Sequence, residues 1–221
     1  IGKPVALDSL VVSRSEITYT EHAPTDDREG SVHFSDVHAQ IFPFTNIRPA
    51  SGLYPNFELK GSATLQDSCH LKVLMNYDMN STENKFTVNG SLGTFNMRIM
   101  NPVLEPLALI SIRSGKVNTF QFDFAADQYM ANGYLYFGYD NLKISVLEIK
   151  DGTTKEARLA SFLANSLLLR SKNPRGKELL PDEIAFRRDE KRSVLNYWWK
   201  SVFSGIRNTL GIKENKPEDQ H

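Results

Sequence analysis

Cysteine is almost missing. Cys69 is the single thiol among 221 residues, so no internal disulfide and no site of paired cysteines around a metal is available. A lone thiol in such a chain is expected to be a buried, inert one. Long apolar runs are missing too. No stretch approaches the roughly 20 apolar residues that carry a helix across a bilayer, and no signal-peptide pattern is visible. There is no excess charge of one sign, because 26 lysines and arginines balance 26 aspartates and glutamates. Nothing in that balance points to nucleic acid.

The chemistry-bearing motifs are also absent. There is no G-x-S-x-G, Walker loop or dinucleotide fingerprint. No HExxH occurs, and His33 and His38 lie five apart on an expected strand, so they point to opposite faces unless a bulge intervenes. Asp26, Asp27 and Glu29 lack the EF-hand spacing and read as a solvated turn. From these absences no enzyme activity, catalytic residue, metal or cofactor is expected.

What is present is alternation. Phe120, Phe122 and Phe124 interleave with Thr119, Gln121 and Asp123, putting three rings on one face of a strand. Phe57, Leu59, Gly61, Ala63 and Leu65 alternate with polar neighbours, as do Leu71, Val73, Met75, Tyr77 and Met79. Ala131 to Tyr139 and Leu142 to Val146 continue the pattern. Further strand candidates are 5–12, 15–21, 31–42, 85–90 and 93–100. Asn89-Gly90 and Ser114-Gly115 read as hairpin breaks. Pro102 and Pro106 turn the segment from Asn101 to Leu109 into a helical turn or crossover. Short turns without helical crossovers imply antiparallel pairing.

Past Gly152 the period changes. Thr153 and Glu156 resemble a capping box, opening a helix to about Arg170 with Leu159, Phe162, Leu163, Leu167 and Leu168 apolar. A loop, a short strand around Ile184 to Arg188 and a second helix follow. Ser193 caps that helix and Gly211 ends it. Its apolar stripe is Leu195, Trp198, Trp199, Val202, Phe203, Ile206 and Leu210. The charge divides along the same boundary. Residues 1–150 carry 12 basic and 16 acidic side chains, whereas 151–221 carry 14 and 10. The expected fold is mainly β: a curved antiparallel sheet, groove-like or sandwich-like, with two C-terminal amphipathic helices packed on it. Residues 1–152 form the β-rich region. Residues 153–212 add the helices and short strand to the same domain, and 213–221 form a disordered tail.

The run from Asn101 to Lys150 resembles the late region of AsmA-like proteins, particularly those of the Bacteroidetes type. The similar elements are Ser114-Gly115-Lys116-Val117, Phe120-Gln121-Phe122, Gly133 and Tyr139-Asp140-Asn141-Leu142-Lys143. A helix with Asn165, a strand ending near Arg187-Arg188-Asp189, and Trp199-Lys200 to Gly205-Ile206 and Leu210-Gly211 follow in the same style. The resemblance covers residues 100–212 and reaches the earlier strands only in style. It implies a β-rich envelope protein related to bridge-like lipid-transfer proteins, with a role in lipid handling or outer-membrane biogenesis. It further implies a location on the periplasmic side of the bacterial inner membrane, held by an N-terminal anchor outside this chain. The chain opens on Ile1-Gly2-Lys3, which fits a processed or excised piece. The family carries no catalytic residues to transfer.

A sheet with one apolar face must cover that face, and two helices cover only part of so many strands. An open remainder suits acyl chains, at about 0.8 kcal/mol per buried methylene; a closed core leaves no groove, and the pattern leaves both open. The residues expected to form the lipid-binding or sheet-docking apolar surface are Phe120, Phe122, Phe124, Trp198, Trp199 and Phe203. Lipid or acyl chains and envelope proteins are the expected partners. The alternative is a structural, protein-interaction scaffold with a filled core.

Overall fold

The computed structural model describes residues 3–23, 27–45, 47, 56–150, 153–156 and 170–212. Its strands are β1 (Ala6–Leu7), β2 (Leu10–His22), β3 (Glu29–Phe42), β4 (Phe44–Thr45), β5 (Asn56–Leu65), β6 (Cys69–Asp78) and β7 (Phe86–Leu92). They continue with β8 (Phe95–Asn96), β9 (Ile110–Ala126), β10 (Met130–Lys150), β11 (Thr153–Glu156) and β12 (Asp182–Arg187). A 3-10 turn, Met97–Met100, leads into helix α1 (Asn101–Ala108), and α2 spans Val194–Leu210.

The main sheet runs β11-β10-β9-β7-β6-β5-β3-β2, with β12 on β10 and β8 on β9. All its pairings are antiparallel. It curls into a half-barrel with a C-terminal helix packed on it. The expected mainly-β, curved antiparallel architecture is therefore the observed one. The period-two rows meet in register. Leu59 faces Met75, Met75 faces Val88, Val88 faces Phe124, and Phe124 faces Gly133. Ala63, Leu71, Leu92, Phe120 and Phe137 form another row in the same way. Because side chains two apart share a face, these rows build one apolar surface from β5 to β10.

The helices cover the two ends of that surface. At one end, Leu107 and Val103 of α1 lie against Gly30 in β3, and Met97 lies against Gly115 in β9. At the other end, Tyr197 and Trp198 of α2 lie against Phe86. Phe124, Leu135, Ala131, Phe137 and Ile184 are buried in the core between. Ser193 caps α2 by accepting from the Asn196 amide, and Gly211 closes it in a left-handed conformation at φ 79°, a geometry that glycine adopts without a Cβ clash.

Several local readings are corrected. Asn89-Gly90 is not a turn but lies within β7, where a Cβ on Gly90 would sit 2.4 Å from the Phe122 ring. Ser114-Gly115 lies within β9, at a register irregularity against β10. The capping-box reading of Thr153 and Glu156 fails, since Thr153–Glu156 is strand β11 on the C-terminal end of β10. A strand ladder satisfies that backbone in place of a helix cap, and Arg113 pairs with Glu156 across it. Leu159, Phe162, Leu163, Asn165, Leu167 and Leu168 of the expected first helix, and the tail from residue 213, lie outside the described residues.

The buried face of α2 is also rotated from the expected stripe. Its most buried residues are Asn196, Tyr197, Ser201, Ser204, Gly205 and Thr209, whereas Leu195 is 53% exposed. A small-residue face lets the helix approach closely. A Cβ on Gly205 would lie 2.9 Å from both Ile184 and Leu135. The buried hydroxyls are satisfied locally, Ser201 donating to the Tyr197 carbonyl and Thr209 to that of Gly205. The Ser204 hydroxyl accepts from the Ala185 amide and ties α2 to β12. Trp198, Val202 and Ile206 pack half-buried against the core.

Candidate functional site

Two surfaces of the sheet invite function, one on each face. On the phenylalanine face, the structure separates the residues expected to act together. Phe120 and Phe124 are 6% and 1% exposed and belong to the core. Phe122 is half-buried, with ring contacts to Phe120 and Phe124 at 6.3 Å each. Trp198 joins Phe86, with its centroid 6.2 Å away. Trp199 and Phe203 instead pair with each other on α2 at 5.4 Å, with Lys200 and Arg207 cations near the Phe203 ring. The six aromatics thus form one row along β9, edge-on between Phe120 and Phe122 and stacked between Phe122 and Phe124, and one helix-borne pair, with Trp198 placed against Phe86.

On this same face a set of side chains packs against the core without full burial. Phe57, Leu59, Val73, Leu92 and Phe122 are only partly buried. They sit on the contiguous strands β5, β6, β7 and β9, with Gly61 facing Val73 and Gly90 facing Phe122 in the row between. Phe57, Leu59 and Leu92 belong to the neighbouring rows, so the half-buried side chains form an apolar strip over four strands, interrupted by the two glycines and by buried core residues.

The opposite face holds an open trough of about 1090 Å³ that reaches from Val11 in β2 to Tyr134 and Tyr136 in β10. Two registered rows cross it. One is Gln40, Lys60, Leu74, Asn89, Asp123, Tyr134 and the other His38, Ser62, Lys72, Ser91, Gln121, Tyr136. Some members are held locally. Lys60 pairs with Glu58 at 2.7 Å and His38 with Asp36 at 2.9 Å. The alternating pattern gave no sign of the trough. Its two rows are mostly the polar partners of the alternation, with Val11, Val12, Leu74 and Pro181 adding apolar lining, and a pattern of that kind reads as a solvated face unless the curl is known.

Deeply buried polar groups lie elsewhere and are structural. Tyr139 donates to the Arg170 carbonyl at 2.9 Å, and burial pushes its pKa up to about 12. Tyr197 is likewise pushed to about 12 by burial. Burial raises the Cys69 thiol, which donates to the Gly93 carbonyl at 3.4 Å. That places Cys69 as a quiet core side chain, since a reactive thiol needs a lowered pKa.

Among the described residues, no three of His, Cys, Asp or Glu gather as metal ligands, and no helix is long and apolar enough to cross a membrane. Compared with protein-family models, curated proteins and solved structures, the chain matches none.

Proposed function

We propose that this chain is a non-enzymatic, AsmA-like cell-envelope module that handles lipid, with acyl chains lying on the apolar strip of Phe57, Leu59, Val73, Leu92 and Phe122. The observation that carries the reading is that these side chains, on the apolar face of four adjacent strands, stay only partly buried. Water on half-covered apolar side chains is displaced favourably by a chain of methylenes, at about 0.8 kcal/mol each. The strip runs across the strands, so an acyl chain spans several of them. The resemblance of residues 100–212 to AsmA-like proteins supports the same reading, with a location on the periplasmic side of the inner membrane. Mass spectrometry of organic extracts of the purified protein tests it. Phospholipid or fatty acid at a constant molar ratio supports it, and a lipid-free protein that takes up no fluorescent fatty acid contradicts it.

A scaffold role is the second reading, and β2 favours it. This 13-residue strand pairs only with β3 among the described residues, and Val11 and Ile17 on it are exposed. An open edge accepts a strand from another protein. Its register irregularity between Val12 and Ile17, with Arg14 at φ 49°, limits how long such pairing runs. Cross-linking in cells distinguishes the two, because a scaffold traps protein partners through β2 whereas a lipid carrier retains lipid without them.

A further inference from the structure

We infer that the trough, on the face of the sheet opposite the apolar side chains of the strip, is a binding site for an uncharged oligosaccharide, an inference independent of the lipid reading. Three observations lead there.

The first is a grid of uncommitted polar groups. Ser62, Lys72, Asn89, Ser91, Gln121 and Asp123 line the trough on the adjacent strands β5, β6, β7 and β9. None of them makes a side-chain hydrogen bond or ion pair among the described residues. Other polar side chains on the sheet do pair, as Asn118 with Asp140 at 2.6 Å, Ser35 with Asp67 at 2.6 Å, and Arg113 with Ser145 at 2.9 Å. Neighbouring strands set the groups about 4.8 Å apart, and alternate residues along a strand about 7 Å apart. Amides, hydroxyls and a carboxylate offer donors and acceptors together. That mixture suits sugar hydroxyls, which both donate and accept.

The second is the aromatic end wall. Tyr134 and Tyr136 share a face of β10 and are 60% and 40% exposed. Tyr134 faces Asp123 in register and Tyr136 faces Gln121, so each ring stands beside a hydrogen-bonding group. A sugar ring carries C–H groups on its faces and hydroxyls on its rim. An exposed phenol ring beside an amide or a carboxylate matches both.

The third is charge. Lys60 is paired with Glu58, and the remaining unpaired lysine and aspartate in the grid, Lys72 and Asp123, cancel. A polyanion gains nothing from such a surface. Asp123 is the one carboxylate lining the trough among the described residues, and Glu183 faces Tyr134 from β12 at the end wall.

Affinity electrophoresis of the whole chain through gels containing neutral polysaccharides (a β-glucan, a xylan, a mannan and a galactan) and, in parallel, a sulfated glycan tests this, followed by calorimetry with the hexasaccharide matching the neutral polysaccharide that retards the chain. The expected result is retardation by at least one of them. Tyr134→Ala and Asn89→Ala should each weaken hexasaccharide binding at least about tenfold, while Tyr129→Ala, exposed outside the trough, binds as the unaltered chain does. Far-UV circular dichroism of each variant separates lost binding from lost fold. No retardation in any gel overturns the inference. Retardation only by sulfated glycans that added salt abolishes also overturns it, as does binding that survives both Tyr134→Ala and Gln121→Ala. Lipid content of the same preparations reports on the apolar strip separately.

Discussion

The hydroxyl of Tyr197 in α2 donates to the backbone carbonyl of Asp127, 3.2 Å away. It pins the helix to the turn between β9 and β10. The carboxylate of Asp127 accepts from the amides of Tyr129 and Met130 at 2.7 and 2.9 Å, and these bonds hold its pKa below the usual carboxylate value. Tyr197→Phe keeps the ring against Phe86 and loses only this hydrogen bond. The expected cost is about 1 kcal/mol. Tyr197→Ala also removes the ring from the core and is expected to cost about 3–5 kcal/mol. Urea denaturation of both variants checks the order and the gap.

Alkali provides a second check. Tyr139 and Tyr197 are 0% and 2% exposed and both are raised to about 12 by burial. A raised phenol means the folded state holds its proton more tightly than the unfolded chain. Their contribution is complete below the unfolded value near 10 and is lost as pH rises towards about 12. The denaturation midpoint is expected to fall steeply from about pH 10 to about pH 12. Tyr139→Phe should flatten part of that fall.

Glycines give a third test, because their surroundings differ so sharply. A Cβ on Gly133 would lie 2.1 Å from the Asp123 carbonyl, and one on Gly205 would lie 2.9 Å from Leu135 and Ile184, whereas Gly176 has nothing within 4 Å. Gly133→Ala forces the β9–β10 backbones apart and is expected to cost more than about 3 kcal/mol. Gly205→Ala lifts α2 from β10 and costs about 1–3 kcal/mol. Gly176→Ala is expected to stay within about 0.5 kcal/mol of the parent. Thermal melts of the three variants give the ranking.

The β rows were legible because period two is a local property. Phe120, Phe124, Leu135, Phe137 and Leu142 lie inside as the alternation requires. The caps Ser193 and Gly211 were legible for the same reason, as was the helical turn after the first proline. What escaped depends on contacts distant in sequence. Gly90 reads as a turn glycine but is needed where the Phe122 ring crosses β7. Thr153 and Glu156 carry a helix-start pattern, yet the end of β10 takes them as a strand. The sheet-facing side of α2 is built largely from serine, glycine and threonine, which a search for apolar stripes passes over. The trough needed the curl of the sheet, and no residue spacing encodes it.

A charge placed in the strip probes the lipid reading. Leu59→Asp on β5 sets a carboxylate opposite Met75 and two residues from Phe57. Fatty-acid binding is expected to fall at least about tenfold, since burying an unpaired carboxylate beside an acyl chain is strongly unfavourable. Fluorescence titration with a dansylated fatty acid reads it, alongside a denaturation curve to separate lost binding from lost fold.

The central claim is that acyl chains lie across β5, β6, β7 and β9. Photo-crosslinking with a diazirine-bearing fatty acid, followed by peptide mapping, tests it most directly. The account predicts labels on Phe57, Leu59, Val73, Leu92 or Phe122, competed away by unlabelled fatty acid. Labels scattered over the surface and indifferent to competitor would contradict it.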